Sequence, residues 1–169
     1  LLVDICHTLR LYHGTIDGDV EKYIHYNTEL KETKKVWREE IQAEEYYIEL
    51  SISNVHSKAS KAEDRFKAEH FYARLKEPLE TYNTYHLHLY GRLIETYIYT
   101  SVNEHEQTLR VCNEAIGFFH AKEYVAAVPL QVFYYQKAIC HVQLGQPQEA
   151  NEALEQSLLY VQDGQFNWY

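Results

Sequence analysis

The chain has 169 residues, of which 46% are hydrophobic, and a formal charge of −9 at pH 7. This length and hydrophobic content suit one domain with a buried core and exclude a wholly disordered chain. The acidic balance argues against direct binding to nucleic acid, because neutralising phosphates requires a basic surface. No apolar run approaches the length of a membrane span, so we expect no transmembrane segment.

The distribution of turn residues predicts an all-α fold. Only six Gly and three Pro occur, and every Pro lies after residue 77, which favours long helices over many short strands. We expect seven or eight antiparallel helices in a single domain over residues 1–169, arranged as a right-handed stack. The sequence contains no Met, and the missing initiator indicates a fragment of a longer chain.

The N-terminal part of the chain predicts two helices. The first apolar residues recur every three or four positions, at Leu2, Ile5, Leu9 and Tyr12. This first helix is expected to stop at Gly14, and Asp17 is expected to cap the second. Apolar spacing then persists over 20–55 without Gly or Pro. We expect a break at 31–35, because one uninterrupted helix of this length is unusual in a compact domain.

Two Ser-x-x-Glu sequences mark helix starts in the middle of the chain. Ser60–Glu63 and Ser101–Glu104 both fit the capping box and predict helices that begin near residues 61 and 102. Gly91 lies inside a predicted helix, where it costs about 1 kcal/mol relative to Ala. We therefore expect another helix to pack closely against Gly91.

The segment from Gln131 onward predicts a tight helical hairpin. Gly145 ends one helix, and Pro147 begins the next. Small residues follow at helical spacing, at Ala150, Ala153 and Ser157. A turn glycine followed by small residues on the second helix resembles a tetratricopeptide repeat (TPR). The segment 163–169 is also similar to one in uncharacterised TPR-like proteins of Bacteroidetes.

The resemblance implies a TPR-like right-handed α-α superhelix, with its clearest repeat at 131–164 and the next repeat beginning near residue 165. Such proteins bind partners on a concave face that is lined by the first helix of each repeat. The resemblance therefore implies a non-enzymatic scaffold for a partner protein or peptide. The implied contacts are Val132, Tyr135, Ile139 and Val142. The same apolar stripe would also result if upstream helices covered it as core.

Three other functions stay open at this point. The chain is alternatively a ligand- or peptide-sensing regulatory domain attached to an effector outside the fragment, or a self-associating solenoid. A helical metalloprotein or enzyme is the third alternative. His86 and His88 point in nearly opposite directions on a helix, and Glu21 with His25 supplies only two ligands. We therefore predict no metal, cofactor or catalytic residue.

Cysteine usage predicts a reducing compartment. Cys6, Cys112 and Cys140 are odd in number, widely spaced and without a Cys-x-x-Cys pair. Buried free thiols explain this pattern more simply than a disulfide or a metal site. We expect the protein in the cytoplasm.

Overall fold

The computed structural model of the chain describes residues 1–56 and 61–161, and within them every regular element is helical. The seven α-helices of the described residues are α1 (Leu2–Tyr12), α2 (Val20–His56), α3 (Lys61–Thr81), α4 (Tyr85–Thr100), α5 (His105–His120), α6 (Ala127–Gln143) and α7 (Pro147–Leu158). The predicted all-α class is confirmed. None of these helices is both long enough and apolar enough to cross a membrane.

The junction between α1 and α2 differs from the prediction. A π-helical turn over His13–Asp17 follows α1 and leads to Gly18, which has a left-handed φ of 68°. The α-helix ends at Tyr12 with His13 as its C-cap, close to the predicted end at His13 and Gly14, but the π-helical turn carries the helical path on to Asp17. The cap is Asp19, whose Oδ1 accepts the backbone N–H of Lys22 at 3.0 Å. Asp17 is not the cap because it still belongs to the π-helical turn.

Helix α2 runs unbroken for 37 residues, so the predicted break at 31–35 is wrong. Different parts of α2 have different partners. Near its start, Asn27 accepts a hydrogen bond from Arg10 of α1 at 3.3 Å. Farther along, Glu49 pairs with Lys67 of α3 at 2.7 Å. The first part of α2 therefore packs on α1, and its later part packs on α3 and α4, so one continuous helix serves both sets of neighbours.

Two hydrophobic clusters share helix α4. The first joins α2, α3 and α4 through Ala43, Tyr46, Leu50, Ala68, Phe71, Leu75, Leu87, Ile94 and Ile98. The second joins α4, α5 and α6 through Leu89, Cys112, Ala115, Ile116, Phe119, Ala126, Leu130 and Phe133. Close packing at Gly91 of α4 is confirmed, since a Cβ there would lie 2.8 Å from Leu79 Cδ2 of α3.

The start of α5 corrects one of the capping predictions. Ser101 is the C-cap of α4, and its hydroxyl donates to the Ile98 carbonyl at 2.8 Å. Asn103 then takes a left-handed φ of 60°, and α5 begins at His105. The predicted start near 102 is wrong because the serine hydroxyl is used at the end of the preceding helix. Helix α3 begins at Lys61 as predicted, while Ser60 lies outside the described residues.

The C-terminal hairpin forms as predicted at its turn. Gly145 has a left-handed φ of 70°, and its neighbour Gln146 donates to the His141 carbonyl at 2.9 Å. The Gly145 N–H also donates to the Val142 carbonyl at 3.1 Å. These two hydrogen bonds, 6→1 and 5→2, define a Schellman motif at the end of α6. Pro147 is the first residue of α7. A backbone N–H at this position has no acceptor within the helix, so its absence from proline costs no hydrogen bond.

Helices α6 and α7 pack through small side chains. Ala138 of α6 is buried, as are Ala150, Ala153 and Ser157 of α7. The Ser157 hydroxyl also donates to the Gln131 carbonyl at 2.9 Å, which joins the two helices. The small residues singled out in the sequence therefore lie at the contact between these helices.

The spacing of the helix starts is longer than that of a TPR. Helices α4 and α6 begin at Tyr85 and Ala127, 42 residues apart, and α5 and α7 begin at His105 and Pro147, also 42 residues apart. A TPR has a period of about 34 residues. Helix α6 starts four residues before Gln131, the predicted start of the repeat. The next repeat, predicted near residue 165, lies outside the described residues.

Candidate functional site

A groove of about 390 Å³ lies between the three helices α2, α4 and α6. Its walls consist of Tyr47, Leu50 and Ser51 from α2, Leu93, Thr96, Tyr97 and Thr100 from α4, and Val132 and Gln136 from α6. This volume falls within the range of about 300–1,000 Å³ that is typical of ligand sites. The groove is therefore large enough to receive side chains of another molecule.

The packing of α4 against its neighbours determines where the groove lies. Helix α4 contacts α2 and α3 on one side and α5 on the other, and α5 in turn contacts α6. The rings of Tyr47 and Tyr90 lie 5.7 Å apart and join α2 to α4. Helices α3 and α5 contribute no lining residue. Alternate helices of the chain thus form one face, and the groove lies on that face.

The walls combine apolar side chains with hydroxyl groups and carry no charged residue. The Ser51 hydroxyl donates to the Tyr47 carbonyl at 2.9 Å, and the Thr96 hydroxyl donates to the Arg92 carbonyl at 2.8 Å. Thr100 donates in the same way to the Thr96 carbonyl at 3.0 Å. Because each hydrogen is already used within its own helix, the hydroxyl oxygens offer lone pairs to a donor that enters the groove.

Burial raises the pKa of two tyrosines near the groove, Tyr97 in its wall and Tyr90 beside Tyr47. Burial and a hydrogen bond to Asp64 raise the pKa of Tyr97 above its ordinary value. Asp64 is itself buried and accepts the Ser53 hydroxyl at 2.6 Å. Burial and the Glu44 carboxylate raise the pKa of Tyr90 to about 12, and its hydroxyl donates to Glu44 Oε1 at 3.0 Å. Tyr97 therefore presents a neutral phenol in the wall of the groove.

A partly buried ion-pair network joins α4 to its neighbours. Arg92 Nη1 lies 2.6 Å from Glu95 Oε2 and 3.0 Å from Glu114 Oε2 of α5. Glu95 is buried, and together with burial it raises the pKa of Tyr72 on α3 above the usual range. Arg92 thus joins α4 to α5, and Glu95 joins α4 to Tyr72 of α3, on the helix that supplies four of the nine lining residues.

The four predicted contact residues are exposed on α6. The exposed fractions are 36% for Val132, 54% for Tyr135, 36% for Ile139 and 62% for Val142. The described helices therefore leave this stripe uncovered. Only Val132 lines the groove, and the other three continue along α6 beyond its lining. Groove and stripe share Val132 and together form what we call the α6 surface.

The histidines considered for metal binding have other contacts. The buried ring of His88 stacks on Phe118 at 3.9 Å, and its Nε2 donates to the Tyr82 carbonyl at 3.0 Å. His86 stacks on Tyr90 with 6.5 Å between ring centroids. His25 contacts Tyr26 through ring edges at 4.9 Å. These residues belong to the packing of the helices on which they lie.

Sequence reasoning missed most of the groove lining. Tyr47 and Tyr97 are two of 16 tyrosines with no spacing that sets them apart, and Thr96, Thr100 and Leu93 carried no signal. The lining residues come from positions 47 to 136, so only the packing of three helices brings them together. A second groove, of about 410 Å³, lies between the first residues of the chain and α2 beside Trp37.

The α6 surface combines an uncharged groove with an exposed apolar stripe, and such surfaces on helical proteins are suited to binding other proteins. The groove of the N-terminal helices is walled by α1 and α2 alone. Comparison with known proteins finds no matching protein-family model, no matching curated protein and no matching solved structure.

Proposed function

We propose that this chain is a non-enzymatic helical-repeat scaffold that binds a partner protein or peptide on the α6 surface. The observation that carries the proposal is the uncharged groove between α2, α4 and α6, which opens onto exposed apolar residues of α6. A soluble protein rarely leaves contiguous apolar surface exposed unless something binds there. The groove and the stripe provide such a surface.

The proposed architecture is a TPR-like right-handed superhelix of the hairpins α2–α3, α4–α5 and α6–α7. In such a superhelix the first helix of each hairpin faces inward and the second helix faces outward. The lining of the groove by α2, α4 and α6 supports this arrangement. The 42-residue spacing of the helix starts implies longer hairpins than those of a standard TPR.

The chemistry of the groove favours a peptide segment as the ligand. Leu93 and Val132 receive apolar side chains, while hydroxyl oxygens of the walls accept hydrogen bonds from backbone N–H groups. Burying one apolar side chain of the partner contributes about 1.5–3 kcal/mol. Micromolar binding requires about 8 kcal/mol after an association cost of at least about 4 kcal/mol, so we expect the partner to contact the exposed stripe of α6 as well as the groove.

We further propose that the protein acts in the cytoplasm. All three cysteines are buried free thiols in the described residues. Burial raises the pKa of Cys112 to about 12, which keeps it as an unreactive thiol. Free thiols of this kind are usual in a reducing compartment. Localisation of the tagged protein by fluorescence microscopy, with cell fractionation as a second measurement, tests this part of the proposal.

Affinity capture from the native host, compared between two variants, tests partner binding. The triple variant Val132→Glu, Tyr135→Glu, Ile139→Glu places charge on the α6 surface, where burying a charge against an apolar partner is costly. The control, Leu154→Glu with Leu158→Glu, changes similarly exposed apolar residues on α7. We expect a partner that the control retains and the triple variant loses. A partner retained by both variants, or lost equally from both, would contradict the proposal.

A further inference from the structure

Three side chains that bind metals in other proteins meet at the junction of α1 and α2. They are His13, Asp17 and Asp19, and in each pair the ligand atoms lie within 4.8 Å of one another. His13 Nδ1 and Asp17 Oδ2 are 2.8 Å apart. Within residues 1–56 and 61–161, no other group of three or more His, Cys, Asp or Glu side chains brings its ligand atoms this close together.

The local fold explains why these residues converge. His13 and Asp17 are four residues apart on the π-helical turn and contact each other directly. Gly18 then takes a left-handed φ of 68°, which turns the chain so that Asp19 returns to the same side. π-Helical turns are rare and are found frequently at functional sites.

The histidine ring is held in a fixed orientation. Its side chain is only 11% exposed, and the ring stacks on Tyr26 at 5.5 Å with 10° between the planes. Tyr12 contacts the same ring edge-on at 5.1 Å. A ligand whose rotamer is already set loses little conformational entropy when it binds a metal. This orientation distinguishes His13 from a histidine on an open helix surface.

The distances suit a small first-row transition metal ion. Zn²⁺ lies about 2.0–2.1 Å from imidazole nitrogen and carboxylate oxygen, so tetrahedral ligand atoms are about 3.3 Å apart. Separations of 2.8 Å to at most 4.8 Å reach this value through side-chain shifts of about 1 Å or less on each side. A small cavity of about 130 Å³ beside His13 offers room for a water as a further ligand.

One cation already contacts the cluster. Lys22 Nζ lies 3.0 Å from Asp19 Oδ2, while Asp19 Oδ1 accepts the Lys22 backbone N–H. The Lys22 side chain is 56% exposed, so its ammonium can move into water with a small loss of ion pairing. Oδ2 then becomes available to a metal, and Oδ1 continues to cap α2.

We propose that His13, Asp17 and Asp19 form a binding site for a divalent first-row transition metal ion, with water completing the coordination. One ring nitrogen of His13 and one oxygen of each carboxylate are the ligands. Where the metal binds Nδ1, the proton that His13 Nδ1 donates to Asp17 Oδ2 is released to water, and the Lys22 ammonium moves away from Asp19 into solvent. One imidazole and two carboxylates suit Zn²⁺, Co²⁺ or Mn²⁺ better than Ca²⁺, which prefers oxygen ligands alone.

Calorimetric titration of the whole chain with Zn²⁺ tests this site. We expect one ion per chain with micromolar or tighter affinity, and at least a tenfold weaker affinity in His13→Ala and in Asp17→Asn. Asp17→Asn keeps the size of the side chain, so its effect does not arise from a cavity. The control His25→Ala removes a histidine from α2 outside the cluster and should bind Zn²⁺ as tightly as the unmodified chain.

Cobalt absorption supplies a second measurement. Bound Co²⁺ should give visible d–d bands without the intense near-ultraviolet band of cobalt–thiolate bonds, and the bands should disappear in Asp17→Asn. Three results would overturn the proposal: no Zn²⁺ binding below millimolar concentration, equal binding by the unmodified chain and both cluster variants, or a thiolate band that indicates cysteine ligands.

Discussion

The same substitution, Gly to Ala, should have opposite effects at Gly117 and Gly145. Gly117 lies inside α5, where an added Cβ would have no heavy atom within 4 Å. Ala favours a helix interior over Gly by about 1 kcal/mol, so Gly117→Ala should stabilise the fold by about that amount. Gly145 also has open space around its missing Cβ, but its φ is 70°.

The left-handed backbone decides the effect at Gly145. An L-residue pays about 1–2 kcal/mol in this conformation, which exceeds the gain of about 0.4–1 kcal/mol from a less flexible unfolded chain. We therefore expect Gly145→Ala to destabilise the fold, and the two variants to differ by about 2 kcal/mol in free energy of unfolding. Gly145 closes the Schellman motif between α6 and α7, so the test reports directly on this turn.

Urea unfolding followed by circular dichroism at 222 nm measures both variants. If both variants have the same m-value as the unmodified chain, unfolding exposes the same amount of surface in all three proteins. A shift of the urea midpoint then reports a change in stability alone. Stabilisation by Gly145→Ala would refute the reasoning, because it would mean that residue 145 lies in a right-handed helix. Helices α6 and α7 would then be continuous, and the hairpin that supports the α6 surface would not exist.

Three further predictions concern the helices around the groove. Arg92→Met should destabilise the fold by about 3 kcal/mol in urea unfolding, because it leaves Glu95 buried without its cation; a loss below 1 kcal/mol would contradict this. The neutral form of Tyr90 stabilises the fold below pH 10, and this contribution is lost as the pH rises towards its pKa of about 12. Unfolding free energies between pH 9 and pH 12 should therefore fall less steeply in Tyr90→Phe. Gly91→Val should cost about 2 kcal/mol by overpacking against Leu79, and Leu79→Ala should remove part of that cost in a double-mutant cycle.

Local features of the fold were predictable from the sequence. The turn at Gly145 and Pro147 depends on two residues whose backbone preferences are strong wherever they occur. Close packing at Gly91 followed from the cost of a glycine inside a helix. These predictions needed no knowledge of which helix lies next to which.

Features that depend on neighbouring helices were not predictable. The continuity of α2 results from separate partners along its length, and periodicity alone does not reveal them. Ser101 satisfies the pattern of a capping box, yet it bonds back to Ile98 at the end of α4. Burial of Asp64 is equally hidden, because its hydrogen bond to Ser53 forms only when α2 and α3 pack.

The candidate sites were predictable only in part. The α6 stripe was implied by the resemblance to a TPR, whereas the groove requires α2 and α4 as well. The His13 cluster depends on a π-helical turn and a left-handed Gly18. Neither has a sequence pattern as regular as that of an α-helix, so Asp19 gave no sign that it lies beside His13.

Site-specific photo-crosslinking tests most directly whether the α6 surface binds a partner. A benzophenone amino acid placed at Tyr135 keeps an aromatic ring at an exposed position, and the matched position is Leu154 on α7. Illumination in the native host should join the partner to the chain at residue 135 and leave residue 154 without that adduct. Adducts at residue 154 alone, or the same adducts at both positions, would contradict a partner-binding role for the α6 surface.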